Sequence, residues 1–340
     1  MKIKQKVLIS TILLLTISLL GFFIYQKIFE SNIEENAIIY IKTGANFENV
    51  LEELSPYLKD LDSFKILAQK MKYTKIKPGR YEIDPKMSNI ELVRLLRAGI
   101  QKPIKLSFNN QDYLEKLAGR ISNQIEADSA SLLEVFRDQS FLEENGFNIN
   151  TALCVYIPNT YEFYWNTNAE KFREKMLKSY KTFWNEERVS KAKKQNLTTI
   201  EVIILASIVQ KETSRVSERK TVAGLYLNRL SNKMLLQADP TVIYSQRLLK
   251  GIDYEIKRVL LKDLEIDSPY NTYKYEGLPP GPISMPDISS IEAVLNPEKH
   301  EYLYMCASVT DFGGHAFART LSQHNVNAAK YQKWVREQGY

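Results

Sequence analysis

The sequence predicts an α+β protein, with one apolar N-terminal helix, a small β-α-α-β unit, and a larger, mainly helical region that ends on a β-hairpin. Three observations carry this. An apolar run of bilayer length follows a lysine-rich start. Between residues 37 and 103, two short strand-like stretches enclose helical periodicity. Beyond residue 104 helical spacing dominates, and strand-like patterning returns only near the C-terminus.

Lys2, Lys4 and Lys6 precede Val7–Tyr25, a run broken only by Ser, Thr and one Gly. As a helix this run spans a bilayer core. Basic residues ahead of a span hold the N-terminus in the cytoplasm, which makes residues 1–6 a cytoplasmic tail, 7–25 a transmembrane anchor, and the rest extracytoplasmic. A cleaved export signal begins the same way. Here the run exceeds a usual signal core and ends Phe22-Phe23-Ile24-Tyr25-Gln26-Lys27 with no small-x-small site, which favours an uncleaved, single-pass anchor in the cytoplasmic (inner) membrane. Residues 26–36 are polar and acidic and read as a stalk.

The 340 residues are 44% hydrophobic and 25% charged, which suits folded domains and excludes a disordered chain or a multispanning membrane protein. The net charge of +6 is spread along the chain. A nucleic-acid binder gathers Lys and Arg on one face, whereas a diffuse excess suits anionic lipid or an anionic wall polymer. Cys154 and Cys306 form no CxxC pair and read as buried free thiols, with a disulfide as the alternative. His300, His315 and His324 lack metal-ligand spacing, so no metal or cofactor is expected.

Ala37–Thr43 is β-branched and apolar and reads as a strand. After the turn at Gly44, Asn46 can cap a helix carrying Phe47, Val50, Leu51 and Leu54. A second helix covers Leu61–Met71, a strand Arg80–Ile83, and a third helix follows the Ser88 cap to Gly99. From Lys105 to about Lys194 the reading is helical, with an aromatic loop around Tyr156–Phe163. Thr198 and Glu201 form a capping box ahead of Ile200–Val209, a run apolar nearly all round and therefore a buried helix. Ser217 can cap the next helix, and Asp239-Pro240 reads as a cap followed by Pro at the first helical position. Gly277-Leu-Pro-Pro-Gly-Pro282 is a stiff turn. Glu301–Val309 and His315–Arg319 read as a hairpin, and a last helix starts near Ser322.

Glu212 stands at the C-terminal end of the buried helix, in register with Ile204, Leu205 and Ile208. Burial and the negative end of the helix dipole both disfavour its charged form. A carboxyl kept protonated near neutral pH is what a glycosidase-type general acid requires. The competing reading is a structural ion pair with Lys211, Arg215 or Arg219. Gln210 cannot titrate, so this helix end offers a single acid. Asp239 reads as a second catalytic carboxylate or merely a cap, and Glu162 as part of a sugar-stacking aromatic surface or a solvated side chain. His315 is either a donor to a sugar hydroxyl or a brace for the hairpin.

The segments Leu205-Ala-Ser-Ile-Val-Gln-Lys-Glu-Thr213, Ser217-Glu-Arg219, Asn228-Arg229-Leu230 and Met234–Tyr244 stand in a fixed order. They are followed by Asp267–Tyr273, Gly277–Ile283, Ala293–Pro297, Tyr302-Leu-Tyr304, Gly313-Gly-His315 and His324-Asn325. Together they resemble the YceG-like family, the MltG-type endolytic transglycosylases, over roughly residues 37–340. The resemblance implies a LysM-like module at 37–103 and a catalytic domain at 104–340. It also implies Glu212 as the catalytic acid and base, in a block where relatives often carry Glu at the position of Gln210. Gln237, Asp239, Asn271, Tyr273 and His315 become candidates for shaping the substrate cleft. One departure is Tyr156-Ile-Pro-Asn-Thr-Tyr161, where relatives commonly carry Asp at the position of Asn159.

The implied chemistry is cleavage of the MurNAc–GlcNAc bond within peptidoglycan glycan strands, leaving 1,6-anhydroMurNAc ends. Because the attacking hydroxyl belongs to the substrate, one carboxyl serves both steps. Implied partners are the glycan strands themselves and peptidoglycan synthases (penicillin-binding proteins), with a role in terminating strand elongation. Two rivals remain open: a lysozyme-like hydrolase using Asp239 or Glu162 as second carboxylate, and a membrane-tethered wall-binding scaffold without catalysis.

Overall fold

The computed structural model describes residues 2–256 and 258–338. It is an α+β chain, mostly helical, with small two-stranded sheets. It divides into two units. The first runs to Leu106 and takes in Gln124–Ala127 and Tyr161–Asn168; the second comprises Ser107–Asn123, Asp128–Thr160 and the chain from Ala169 on.

The first unit begins with α1 (Lys2–Phe29), whose stretch Ile3–Phe29 is long and apolar enough to cross a membrane and whose membrane-length apolar run holds no buried residue. The helix continues past Tyr25, so the expected stalk at 26–36 is not free chain. Its first residues, 26–29, are the last turn of α1, Asn32 and Ile33 are buried, and Ile33 bridges to Leu58. Apolar Ile33 is what draws this polar segment onto the core.

The expected β-α-α-β order follows, as β1 (Ala37–Ile41), α2 (Phe47–Leu54), α3 (Leu61–Lys70) and β2 (Gly79–Ile83), then α4 (Asn89–Ala98). β1 and β2 pair antiparallel with Ile39 opposite Tyr81, and the alternation turns Ile39, Ile41, Tyr81 and Ile83 onto one buried face. Val50, Leu54, Phe64, Leu92 and Leu96 cover that face. Asn46 and Asn49 exchange the hydrogen bonds of a capping box at the start of α2. Gly99 closes α4 in the left-handed region, φ 69°, where a side chain would be strained. Two later segments stitch onto this unit. The Thr43 amide and hydroxyl donate to Glu126 at 2.6 and 2.7 Å, and Gln101 Nε2 donates to Asn166 at 3.0 Å.

Residues 104–108 form a strand, β3 (Ile104–Phe108), rather than the start of a helical stretch, and the Pro-centred segment expected as a loop carries β4 (Asn159–Phe163). Between them lie α5 (Leu114–Ser122), α6 (Ser129–Phe136) and α7 (Gln139–Glu144); α8 (Ala169–Phe183) and α9 (Glu186–Lys194) follow. The centre of the second unit is α10 (Thr199–Glu212), opened by the Thr198–Glu201 capping box and buried along its whole run Val202–Val209. It packs against α11 (Arg219–Ser231), α12 (Asp239–Lys250) and α13 (Ile288–Leu295).

Two expected caps are placed differently. Ser217 lies in a 3₁₀ turn, Val216–Glu218, and Glu218 directly precedes α11. Asp239 is the first residue of α12 and not its cap; Ala238 holds that position with extended backbone. The Gly277–Pro282 turn packs inward. The Ile283 amide beyond it donates to Ser207 Oγ of α10 at 3.0 Å, and a Cβ on Gly281 would lie 2.0 Å from the Asn150 carbonyl oxygen. Near the C-terminus β5 (Tyr304–Ala307) and β6 (His315–Ala318) pair antiparallel, and α14 (Leu321–Glu337) packs across them.

Candidate active site

A cavity of about 230 Å³ opens where the end of α10, the flank of α11, the start of α12 and strand β5 converge. Glu212 lines it, as do Gln237, Asp239, Tyr273 and His315, with Tyr226 and Arg229 from α11. Five of the six residues singled out from the sequence therefore meet around one space. Asn271 does not. It is fully buried, its Nδ2 donating to the carbonyls of Leu264 (2.9 Å) and Ile266 (2.8 Å) and its Oδ1 accepting from the Tyr273 amide (3.0 Å). It shapes the turn that presents Tyr273 and stands behind the cavity wall.

The three cations expected as ion-pair partners of Glu212 are all engaged elsewhere. Lys211 pairs with Asp112 at 2.6 Å, Arg215 with Asp311 at 2.6 Å, and Arg219 with Asp287 at 3.4 Å. Among the described residues no cation comes within ion-pair distance of Glu212. Its one direct partner among those residues is the Tyr226 hydroxyl, which donates to Oε1 at 2.7 Å. Lys211, one position before Glu212 on α10, points to another face of the helix, and Arg215 and Arg219 lie beyond the end of α10, where helical register with Glu212 no longer holds.

Glu212 retains some exposure because it opens on the cavity, but protein encloses its carboxyl, and that enclosure governs its protonation. Burial drives its pKa up from 4.5 to about 7. The Tyr226 hydrogen bond pulls the other way, the neighbouring Asp239 adds to the rise, and the charges of His315 and Arg229 oppose it. Burial also keeps the Tyr226 phenol far above its ordinary range, so it remains a donor. The carboxyl is thus half-protonated near neutrality, with Oε1 held and, among the described residues, Oε2 without a hydrogen-bond partner.

The walls are built as deliberately. Asp239 Oδ1 accepts from the Tyr273 hydroxyl at 2.6 Å. Gln237 sits at φ 52°, a left-handed backbone costly for a non-glycine residue, with its amide donating to the Thr272 carbonyl at 3.0 Å. His315 is gripped by Glu218, which accepts from its backbone amide at 2.7 Å and meets Nδ1 at 2.8 Å. Burial alone would raise the Glu218 carboxyl, but these bonds and one from Thr213 outweigh it and hold it below its usual range. With Nδ1 engaged, Nε2 is the nitrogen left to act elsewhere.

Sequence reasoning passed over Tyr226, Arg229 as a lining residue, and the grip of Glu218 on His315. Tyr226 reads as one more apolar position of α11, and only the packing of α11 on α10 shows its hydroxyl reaching Glu212. Gln210, noted only as non-titratable, joins α10 to α13: its Oε1 accepts from Ser290 Oγ at 2.6 Å and its Nε2 donates to Asp287 at 3.2 Å. Cys154 and Cys306 are both free, the first buried and the second on the cavity wall.

The YceG-like family model matches residues 39–330. The chain belongs to the YceG-like family. A relative from Bacillus subtilis named endolytic murein transglycosylase is 29% identical to this YceG-like chain over 333 residues, covering 92% of this chain and 90% of the relative. A Streptococcus pneumoniae protein of the same name is 27% identical over 367 residues, and the match spans 97% of this chain but 65% of that longer protein. The crystal structure of a YceG-like protein from Listeria monocytogenes superposes with a TM-score of 0.57 at 30% identity, covering 86% of this chain and 98% of that one.

Proposed function

We propose that this YceG-like chain is an endolytic murein lytic transglycosylase, anchored in the cytoplasmic membrane with its folded part outside, in which Glu212 acts first as acid and then as base. The observation that supports this most directly is a single enclosed carboxyl, without a cationic partner among the described residues and poised near pH 7, on the wall of an open polar cleft. Protonated Glu212 donates to the oxygen linking N-acetylmuramic acid C1 to the next sugar. The C1–O bond breaks and the leaving sugar keeps that proton. The carboxylate then accepts the proton of the muramoyl C6 hydroxyl as that oxygen bonds to C1. The 1,6-anhydro end forms, Glu212 is reprotonated, and no water is consumed. Tyr226 holds Oε1 through both steps, which leaves Oε2 to meet the substrate.

Gln237, Asp239, Tyr273 and His315 are read as the groups that hold and orient the glycan. Residues 37–103 are read as a LysM-like module on the strength of the β-α-α-β order and its antiparallel strand pair. Association with peptidoglycan synthases and a role in ending strand growth follow from the family reading.

Asp239 lines the same cavity as Glu212, and this favours one second reading, hydrolysis with two carboxylates. Mass spectrometry of digested glycan strands separates the two, because an anhydro end is one water lighter than a hydrolysed end. Anhydro ends from the wild type and none from Glu212→Gln are expected. Reducing ends alone, or undiminished cleavage by Glu212→Gln, would overturn the proposal.

A further inference from the structure

A second recess lies far from the carboxyl cleft in sequence and differs from it in character. It is a groove of about 550 Å³ in the first unit, walled on one side by the last turns of α1 and on the other by α3. Phe23, Ile24 and Ile28 supply one wall, and Ile66 and Leu67 the other, with Lys70 at the rim. Ile66 is 59% exposed and Ile24 52%.

The two walls are tied together. Lys27 on α1 is ion-paired with Asp60, the cap of α3. Asn89 Nδ2 donates to the Lys27 carbonyl at 2.8 Å, and Asn32 bonds both Asp60 and Asn89 at 2.8 Å. These bonds join the base of α1 to α3 and α4.

Depth along α1 then decides what the groove faces. A helix rises about 1.5 Å per residue, so about 20 residues fill a hydrocarbon core of about 30 Å. Counted from Val7, just past the basic start, the core ends near Gln26. Phe23 and Ile24 lie within its outer edge, and Lys27 and Ile28 in the headgroup layer. A groove walled by these residues lies at the same depth, and so does Ile66 across from them. Apolar side chains at that level, with Lys27, Lys70 and Asp62 among the polar residues that line the groove beside them, are what an interfacial helix presents at the headgroup layer.

We infer that α3 is an interfacial helix and that the groove between α1 and α3 holds phospholipid acyl chain from the outer leaflet. The groove is therefore a lipid-binding site, and the first unit sits on the bilayer. The occupant is lipid because one wall is the spanning helix itself, whose solvent at that depth is acyl chain.

The inference rests on α1 crossing the bilayer, and the test carries its own control for that premise. The full chain, with Cys306→Ser, is placed in phospholipid nanodiscs with a nitroxide on Ile66→Cys, Phe23→Cys or Lys42→Cys in turn; Cys154 is buried and stays unlabelled. At Ile66 oxygen should collide with the label more than a water-soluble nickel chelate does, as at Phe23, with the reverse at Lys42. Ile66→Trp, its indole quenched by lipids brominated on the acyl chain, gives a second readout. Nickel dominance at Ile66 with oxygen dominance at Phe23 overturns the inference while leaving the anchor intact. A label at Ile66 shielded from both reagents also overturns it, placing protein in the groove. Nickel dominance at Phe23 removes the premise and the inference together.

Discussion

Tyr226 sets how much of the burial penalty Glu212 keeps. Its hydroxyl favours the carboxylate, against an enclosure that favours the acid, and the balance lies at about 7. In the proposed mechanism the acid is needed for the first step, so activity should fall as pH rises through about 7. Tyr226→Phe removes the one direct hydrogen bond that Glu212 has among the described residues and should move that falling limb upward by about one unit, since a hydrogen bond to a charged group contributes about 1.5–3 kcal/mol and one unit corresponds to about 1.4. A pH–rate profile of kcat/KM for both proteins checks this, and an unmoved limb would remove Tyr226 from the protonation balance. Glu212 itself was legible in the sequence because helical register alone places it on the apolar side of a run that must be buried. Its freedom from ion pairing was not, because Asp112, Asp311 and Asp287, which take the three nearby cations, lie far from it in the chain.

At the scale of elements, Arg229 holds the site together. From α11 its Nε donates to the Leu303 carbonyl ahead of β5 at 2.6 Å, while Nη1 donates to the carbonyls of Leu235 and Leu236 at 3.0 and 2.9 Å and to Gln237 Oε1 at 3.2 Å. One buried guanidinium thus joins a helix, the approach to a strand, and the strained turn that leads into α12. Arg229→Ala strands several buried acceptors at once and should cost on the order of 3 kcal/mol of stability. Arg229→Lys should recover only part of this, because an ammonium cannot reproduce the planar fork. Urea unfolding of the three proteins measures it; an alanine variant as stable as wild type would refute the role. The strong local signals translated directly into elements: the Thr198–Glu201 box starts α10 where expected, and Asn46 caps α2. Ser217 failed as a cap because the chain tightens into a 3₁₀ turn that brings Glu218 under His315, a tertiary demand that overrides cap preference.

For the whole molecule, the raised carboxyl is also a stability statement. Glu212 has a folded pKa of about 7 against 4.5 as its ordinary value. The folded state therefore binds more protons between these values, and this group's contribution, complete below about 4.5, is lost as pH rises to about 7. The Glu212→Gln variant, with no proton to release there, should not show that loss. Thermal midpoints of Glu212→Gln and wild type should coincide near pH 4.5, separate in favour of the variant through pH 5–7, and stay apart above it. A constant offset across that range would show that Glu212 is not held protonated by the fold. The sequence by itself determined the apolar N-terminal helix, the β-α-α-β order, the buried helix and its terminal acid, because each depends on local periodicity, capping chemistry or register. Tertiary structure alone decided which residues meet around Glu212. Tyr226 and Arg229 come from α11, Gln237 and Asp239 from the approach to α12 and its first residue, Tyr273 from a later turn and His315 from β6, and long-range packing, which no local pattern encodes, brings them to one cavity. The same packing turned Asn271 inward and drew residues 31–33 onto the first core, since burying an apolar side chain or satisfying a buried amide outweighs what the neighbouring residues prefer locally.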